Sequence, residues 1–209
     1  MKMKAQVTLL LLGALTTSGF SQYAIIPLKM GVLYVGVDNP VRIQSPKDSV
    51  ILSIKGGTAQ EIGGGMYNIR VEKPGEVVIS IASKTGAPFN YQETLRAKRI
   101  PDAVPFLNAL NRDLTAGEFK KIKGLTMLLP DFDFDVRCTP NQYKVVRIAA
   151  NGQKESVVNE KSAKFTEKTD EIIARAKTGD TYIFTKIKYQ CTGDASDRVC
   201  GQSLVYFIQ

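Results

Sequence analysis

Asp131, Asp133 and Asp135 stand at alternate positions in the stretch Leu129-Pro130-Asp131-Phe132-Asp133-Phe134-Asp135-Val136. Carboxylates can hold a hard cation or move a proton, so these residues are the first to weigh. On a strand, successive side chains leave on opposite faces. The three aspartates then share one face, and Phe132, Phe134 and Val136 share the other. Neighbouring carboxylates on that face would stand about 7 Å apart. A pleated ribbon holds such groups parallel and does not converge them on an ion, so they read as a solvated face and not as a calcium site. The phenylalanines read as the core side of the first strand of a C-terminal β-sandwich.

The rest of the chain offers little chemistry. It contains no histidine. That removes Ser-His-Asp and Cys-His catalysis, the zincin motif and nearly all catalytic zinc sites. Gly63-Gly64-Gly65 leads into a strand and lacks the Lys-Ser/Thr of a phosphate loop, so it reads as a turn that needs positive φ. No catalytic, cofactor-binding or metal-ligating residue is expected, and no enzyme activity. The formal net charge is +8, but the basic residues are scattered where nucleic-acid binding would want a stripe. Lys120-Lys121-Ile122-Lys123 is the densest basic spot; it reads as a solvated edge or, in a sharper reading, as a contact for an acidic partner.

Three cysteines, Cys138, Cys191 and Cys200, cannot all pair within one chain. Cys191 and Cys200 flank a polar hairpin tip from Thr192 to Val199, and opposed hairpin positions can meet the geometry of a disulfide. The expected bridge is Cys191–Cys200, with Cys138 unpaired. The competing pairing joins Cys138 to Cys191 or Cys200 across strands. An oxidising compartment is implied in either case. Residues 1–21 fit a secretory signal peptide: Lys2 and Lys4, an apolar run from Val7 to Leu15, then Gly19-Phe20-Ser21 before Gln22. No later segment is apolar enough to cross a membrane, so an exported, periplasmic or cell-surface protein is expected.

The elements that would position these residues are strands. Short alternating runs separated by turn signals predict an all-β chain of two consecutive immunoglobulin-like β-sandwich domains. The first would span 22–98. It includes a strand from Gly31 to Val37, and a hairpin in which Tyr67, Ile69 and Val71 meet Val77, Ile79 and Ile81 across Lys73-Pro74-Gly75-Glu76. Residues 99–124 read as a connector. The second domain, 125–209, would contain a type I′ turn at Asn151-Gly152 and one helix over about 166–178, capped by Thr166 and stopped by Gly179.

Leu33-Tyr34-Val35-Gly36-Val37-Asp38-Asn39-Pro40-Val41 resembles the start of the third domain of the GldM (PorM) family. Gly65-Met66-Tyr67, Leu95-Arg96-Ala97-Lys98-Arg99-Ile100-Pro101-Asp102 and Asp131-Phe132-Asp133-Phe134-Asp135 are similar to further landmarks in the same order. The helix before Gly179-Asp180, with Ile183 to Ile187 after it, is similar to that family's final domain. The resemblance implies non-enzymatic immunoglobulin-like domains of the gliding-motility and type IX secretion apparatus. It also implies that they dimerise and engage other periplasmic or outer-membrane proteins. Family proteins begin with a transmembrane helix and a helical domain where this sequence has a signal peptide, so a freestanding exported version is expected. A soluble ligand or glycan binder, or a sensor accessory, is the alternative; against it, Trp is absent and no aromatic cluster lies in a loop.

Overall fold

Alternation along the chain resolves into two stacked-sheet units in the computed structural model, which describes residues 23–45, 50–84, 90–107 and 113–209. The expected signal peptide lies outside the described residues, as do Ser49 and Phe89, the expected first residues of two strands. The first unit contains β1 (Ala24–Pro27), β2 (Leu33–Tyr34), β3 (Asn39–Gln44), β4 (Val50–Lys55), β5 (Gly57–Gly63), β6 (Met66–Val71), β7 (Gly75–Ser83) and β8 (Asn90–Lys98). They form two four-stranded sheets, ordered β1-β3-β6-β5 and β2-β8-β7-β4. Tyr67, Ile69 and Val71 from one sheet face Val77, Ile79 and Ile81 from the other, all buried, as their alternation predicts. The expected hairpin between them does not form: β6 pairs with β3 and β5, β7 pairs with β4 and β8, and Lys73-Pro74 crosses from one sheet to the other, since alternation marks a core face and not which strand lies beside it.

Two segments of this unit depart from the sequence reading. The expected strand from Gly31 to Val37 pairs through Leu33 and Tyr34 and by a single bridge from Val35 to Val71, then bends. β5 was not expected, because Gly57-Thr58-Ala59-Gln60-Glu61-Ile62-Gly63 has no apolar face; it lies on the sheet edge, mostly exposed, and needs none. Positive φ at Gly63, Gly64 and Gly65 makes the tight return into β6.

The second unit contains β9 (Val104–Phe106), β10 (Asp113–Leu114), α1 (Ala116–Lys120), β11 (Thr126–Leu128), β12 (Cys138–Ile148), β13 (Lys154–Glu160), α2 (Glu167–Ala174), β14 (Thr181–Cys191), β15 (Arg198–Val199) and β16 (Leu204–Ile208). Its main sheet is ordered β10-β16-β14-β12-β13, with β15 on β14. One face is covered by the β9–β11 pair and the two helices. Phe119 of α1 lies 4.5 Å from the Tyr182 ring, and Ile172 and Ile173 of α2 are buried in the same core. Ala103, Leu107, Leu114 and Phe119, all from the segment read as a connector, sit in this core too. Leu114 lies on β10 and Phe119 on α1, while Ala103 and Leu107 flank β9.

The Asp/Phe stretch is not a strand: residues 129–137 join no sheet. Its alternation survives as burial, with Phe134 buried, Phe132 and Val136 half-buried and the three aspartates exposed. The helix ends at Ala174, short of the expected 178, and Gly179 (φ +90°) belongs to the turn into β14. Thr166 sits at the N-cap without a side-chain cap bond; buried Asn159 anchors the start of the helix, its Oδ1 accepting from the Thr166 amide at 2.7 Å and from the Thr169 hydroxyl at 2.9 Å. The β12–β13 return is a three-residue loop: the Gly152 amide donates to Ala149 O, and Gly152 alone takes positive φ, which gives a type I turn with a glycine bulge in place of type I′.

The disulfide also differs from the expected Cys191–Cys200 bridge. Cys138 pairs with Cys191, its direct opposite across β12 and β14, and Cys200 is free. Register decides this. β15 pairs Val199 with Lys188, so Cys200 falls beside Ile187, to whose carbonyl its amide donates. That is four residues from Cys191, roughly 13 Å of strand. At the other end of the sheet, Arg147 donates to Asp180 (2.8 Å) and Glu155 (2.7 Å), and Asp180 also accepts the amides of Ala150 and Lys177. This clamp holds β12, β13 and the turn into β14 together.

Closing a loop with sequence separation 53 restricts the unfolded chain. Cys138→Ala with Cys191→Ala should lower stability by about 2–4 kcal/mol in denaturant titrations. Non-reducing peptide mapping should recover a Cys138–Cys191 linked peptide and an alkylatable Cys200.

Burial first, then nearby carboxylate charge, raises the hydroxyl of Tyr143 well above its ordinary value of 10.0. Burial likewise dominates at Tyr182, whose hydroxyl is also raised. The folded state therefore keeps protons that the unfolded state releases. Their contribution is full below about pH 10 and is lost as pH rises above it. Alkaline titration at 295 nm should show Tyr143 and Tyr182 ionising only together with loss of the near-UV circular dichroism signal. Ionisation while the fold persists would contradict it.

Candidate interaction surface

Buried Asn39 builds the first contact region. Its Oδ1 accepts the Tyr34 amide at 2.6 Å, and its Nδ2 donates to the carbonyls of Tyr34, Val37 and Ile69. The backbone of a tight bend is thereby satisfied, and Tyr34 and Val37 are presented to the second unit. The Asp/Phe stretch arrives there with its apolar side inward. The Tyr34 ring meets Phe132 at 4.7 Å and Phe134 at 5.2 Å in edge contacts, and Ile100 closes the cluster. Lys29 adds its ammonium 5.0 Å from the Phe134 ring and donates to Asp133 O.

Two further contacts hold the units. Gly36 and Gly193 touch backbone to backbone: a Cβ on Gly193 would lie 2.7 Å from Gly36 O, and both residues have positive φ. Arg198 pairs with Asp194 at 2.7 Å and donates to Ile100 O and Pro101 O. The polar tip from Thr192 to Val199, read as a hairpin end, is thus seated against the first unit. Sequence reasoning missed Asn39, Gly193 and Arg198 in these roles, since nothing local marks which distant backbone they meet.

The second contact region is the uncovered face of the main sheet. Register sets Val146, Ile183 and Val205 in one row across β12, β14 and β16. The adjacent row runs Lys154, Ile148, Thr181, Phe207, Asp113. Val146, Ile148, Ile183 and Val205 are half-buried and belong to none of the buried clusters among the described residues, and Phe207 is 54% exposed. Contiguous apolar surface on the middle of a sheet marks a contact site more often than scattered apolar residues do.

The residues singled out for chemistry stay apart from both regions or serve them structurally. Asp131, Asp133 and Asp135 point to solvent as the outer side of the aromatic contact. Gly63, Gly64 and Gly65 form a hairpin turn. Among the described residues, no group of His, Cys, Asp or Glu is arranged to hold a metal ion. No described helix is long and apolar enough to cross a membrane.

A family model described as the GldM third domain matches residues 13–96, and one described as the GldM C-terminal domain matches residues 113–201. No curated protein matches the chain. Among solved structures, the chain is similar to the Yersinia pseudotuberculosis adhesin InvE, at 10% identity and a TM-score of 0.29, over 88% of this chain and 58% of that one. It is also similar to fibronectin(III)-like modules of Clostridium thermocellum CbhA, at 11% identity and a TM-score of 0.26, over 89% and 94%. A third similarity is to the D0-D1 domain of intimin, at 11% identity and a TM-score of 0.27, over 90% and 98%.

Removing the Phe134 ring empties a closely packed site at the junction, at a cost of about 3 kcal/mol. Phe134→Ala should loosen the two units without unfolding either. Small-angle scattering should broaden, and proteolysis between Lys98 and Ala103 should rise at least tenfold. Gly193→Val, which meets the Gly36 carbonyl, should do the same. Unchanged scattering and cleavage in both variants would mean that the contact does not couple the units.

Proposed function

The chain belongs to the GldM family through its third and C-terminal domains, and on that premise we propose an exported, non-enzymatic protein–protein interaction module that docks through its uncovered sheet face. It serves a gliding-motility or type IX secretion apparatus. Its partners are other periplasmic or outer-membrane proteins, and it forms a homodimer. Support for export comes from the leader-like residues 1–21 and from a disulfide that needs an oxidising compartment. The first unit, held at a fixed angle by the aromatic junction, acts as a spacer.

The observation that carries the homodimer is the row Lys154, Ile148, Thr181, Phe207, Asp113. A twofold interface requires a patch that complements itself. Turned by 180° about an axis along the central strand β14, the row lies over its own copy with the ends exchanged. Lys154 then faces the partner's Asp113, Ile148 faces the partner's Phe207, and Thr181 meets its own equivalent. Such stacked sheets sit about 10 Å apart. Four strands at about 4.8 Å spacing over some five residues of length, with the short β10 at the edge, give roughly 350 Å² per copy. The total of roughly 700 Å² lies below the range of stable specific interfaces, so association is weak and concentration-dependent.

Sedimentation equilibrium on residues 22–209 tests this reading. A monomer–dimer equilibrium in the micromolar to sub-millimolar range is expected. Phe207→Glu should weaken it at least tenfold with an unchanged thermal melt. Lys154→Asp should weaken it, and Lys154→Asp combined with Asp113→Lys should restore it. A chain that remains monomeric at millimolar concentration, or a dimer indifferent to Phe207→Glu, would overturn the assignment.

A further inference from the structure

A cleft of about 750 Å³ opens on the helix side of the second sheet, away from the face proposed for the dimer. Its floor is apolar, made by Leu114, Ile122 and Leu125. One wall is the end of α1 and the turn after it, which carries Lys121 and Lys123. The other wall is the segment 163–164, which carries Lys164. Backbone pairing fixes these walls: Leu125 N donates to Ala163 O, Phe165 N donates to Lys123 O, and Gly124 bridges Lys164. A Cβ on Gly124 would lie 2.6 Å from Ala163 O, so this approach requires glycine.

Lysines from two elements about forty residues apart thus converge over apolar surface, and all three are exposed. The carboxylates nearby are already engaged. Glu118 accepts from Thr115 N and Oγ1, and Asp170 pairs with Lys123. We propose that this cleft docks an acidic peptide segment in which carboxylates alternate with apolar side chains. Successive side chains of an extended strand leave on opposite sides, so such a segment puts its apolar residues on the floor and its carboxylates toward the lysines. The other polyanions fit less well. Among the described residues, no aromatic or arginine side chain lines the cleft to stack on or fork to a nucleic acid. A concave site with an apolar floor does not match the flat headgroup plane of a bilayer.

The test is fluorescence anisotropy with the mature chain, residues 22–209, and a labelled twelve-residue peptide alternating aspartate with leucine. Saturable binding that weakens with salt is expected. Lys121→Glu with Lys164→Glu should weaken it tenfold or more, while Lys121→Arg with Lys164→Arg keeps it. Both pairs should leave the thermal melt and the sedimentation profile unchanged. Lys188→Glu, remote from the cleft, should leave binding intact. Absence of saturable binding would overturn the proposal, as would equal losses from Lys188→Glu. So would equal or tighter binding of single-stranded DNA or of phosphatidylglycerol vesicles with the same dependence on Lys121 and Lys164.

Discussion

A pleated sheet offers two faces, and alternation can make each face apolar or polar independently. The architecture here depends on how each sheet disposes of its second face. In the first unit the two four-stranded sheets are near equals. Ile69 on one and Ile79 on the other are fully buried, and the outward residues are largely polar. The second unit has one large sheet and no equal partner. Its inner face carries Tyr143, Tyr182, Phe184 and Tyr206, which need more cover than a two-stranded ribbon provides. Two short helices complete it. Among the described residues nothing comparable covers the outer face, where Val146, Ile183 and Val205 remain half-buried.

The junction works by a different balance. Side chains at domain boundaries are usually polar and the domains mobile. Here the Asp/Phe stretch divides the problem, with carboxylates kept in water and rings inserted against Tyr34. Asn39 makes this possible by satisfying the backbone that the bend would otherwise bury unpaired. The glycine pair allows a closer approach than side chains permit. Together these contacts set the direction in which the first unit projects from the sheet.

What could be read from sequence followed the range of the interaction. Tyr67-Asn68-Ile69-Arg70-Val71 showed its core face plainly, because its alternation is clean and recurs within ten residues in β7, which packs against it from the facing sheet; which strands pair was not legible there, and the two do not. The Asp/Phe stretch showed which side chains share a face, and that held. Periodicity does not say whether a backbone has a strand beside it, so an unpaired segment, turned at Pro130-Asp131 and bent at Phe134, looked like a strand. β5 and β10 were invisible for the opposite reason: their backbones are paired by neighbours while their side chains carry no pattern. The disulfide depended on the irregular register between Pro140 and Lys144, which sets Cys138 opposite Cys191. A choice made by residues fifty positions apart leaves no local trace. The open face was hidden likewise, since Lys154, Ile148, Thr181, Phe207 and Asp113 become a row only when five strands are aligned.

The perturbed groups bear on what kind of protein this is. Sites of reaction usually hold a nucleophile or base whose affinity for protons has been moved toward neutrality. Tyr143 and Tyr182 move the other way, because burial makes their hydroxyls harder to ionise. Each donates to a backbone carbonyl, Tyr143 to Ala163 and Tyr182 to Ile172, so the proton is engaged in holding a loop or helix. Arg147 is paired with both Asp180 and Glu155 at a sheet corner. The buried polar groups described here therefore fix geometry, and the surfaces they fix are a flat apolar face and a basic cleft on opposite sides of one sheet. As proposed, a second copy on the one face and an acidic segment in the cleft on the other would not compete for space.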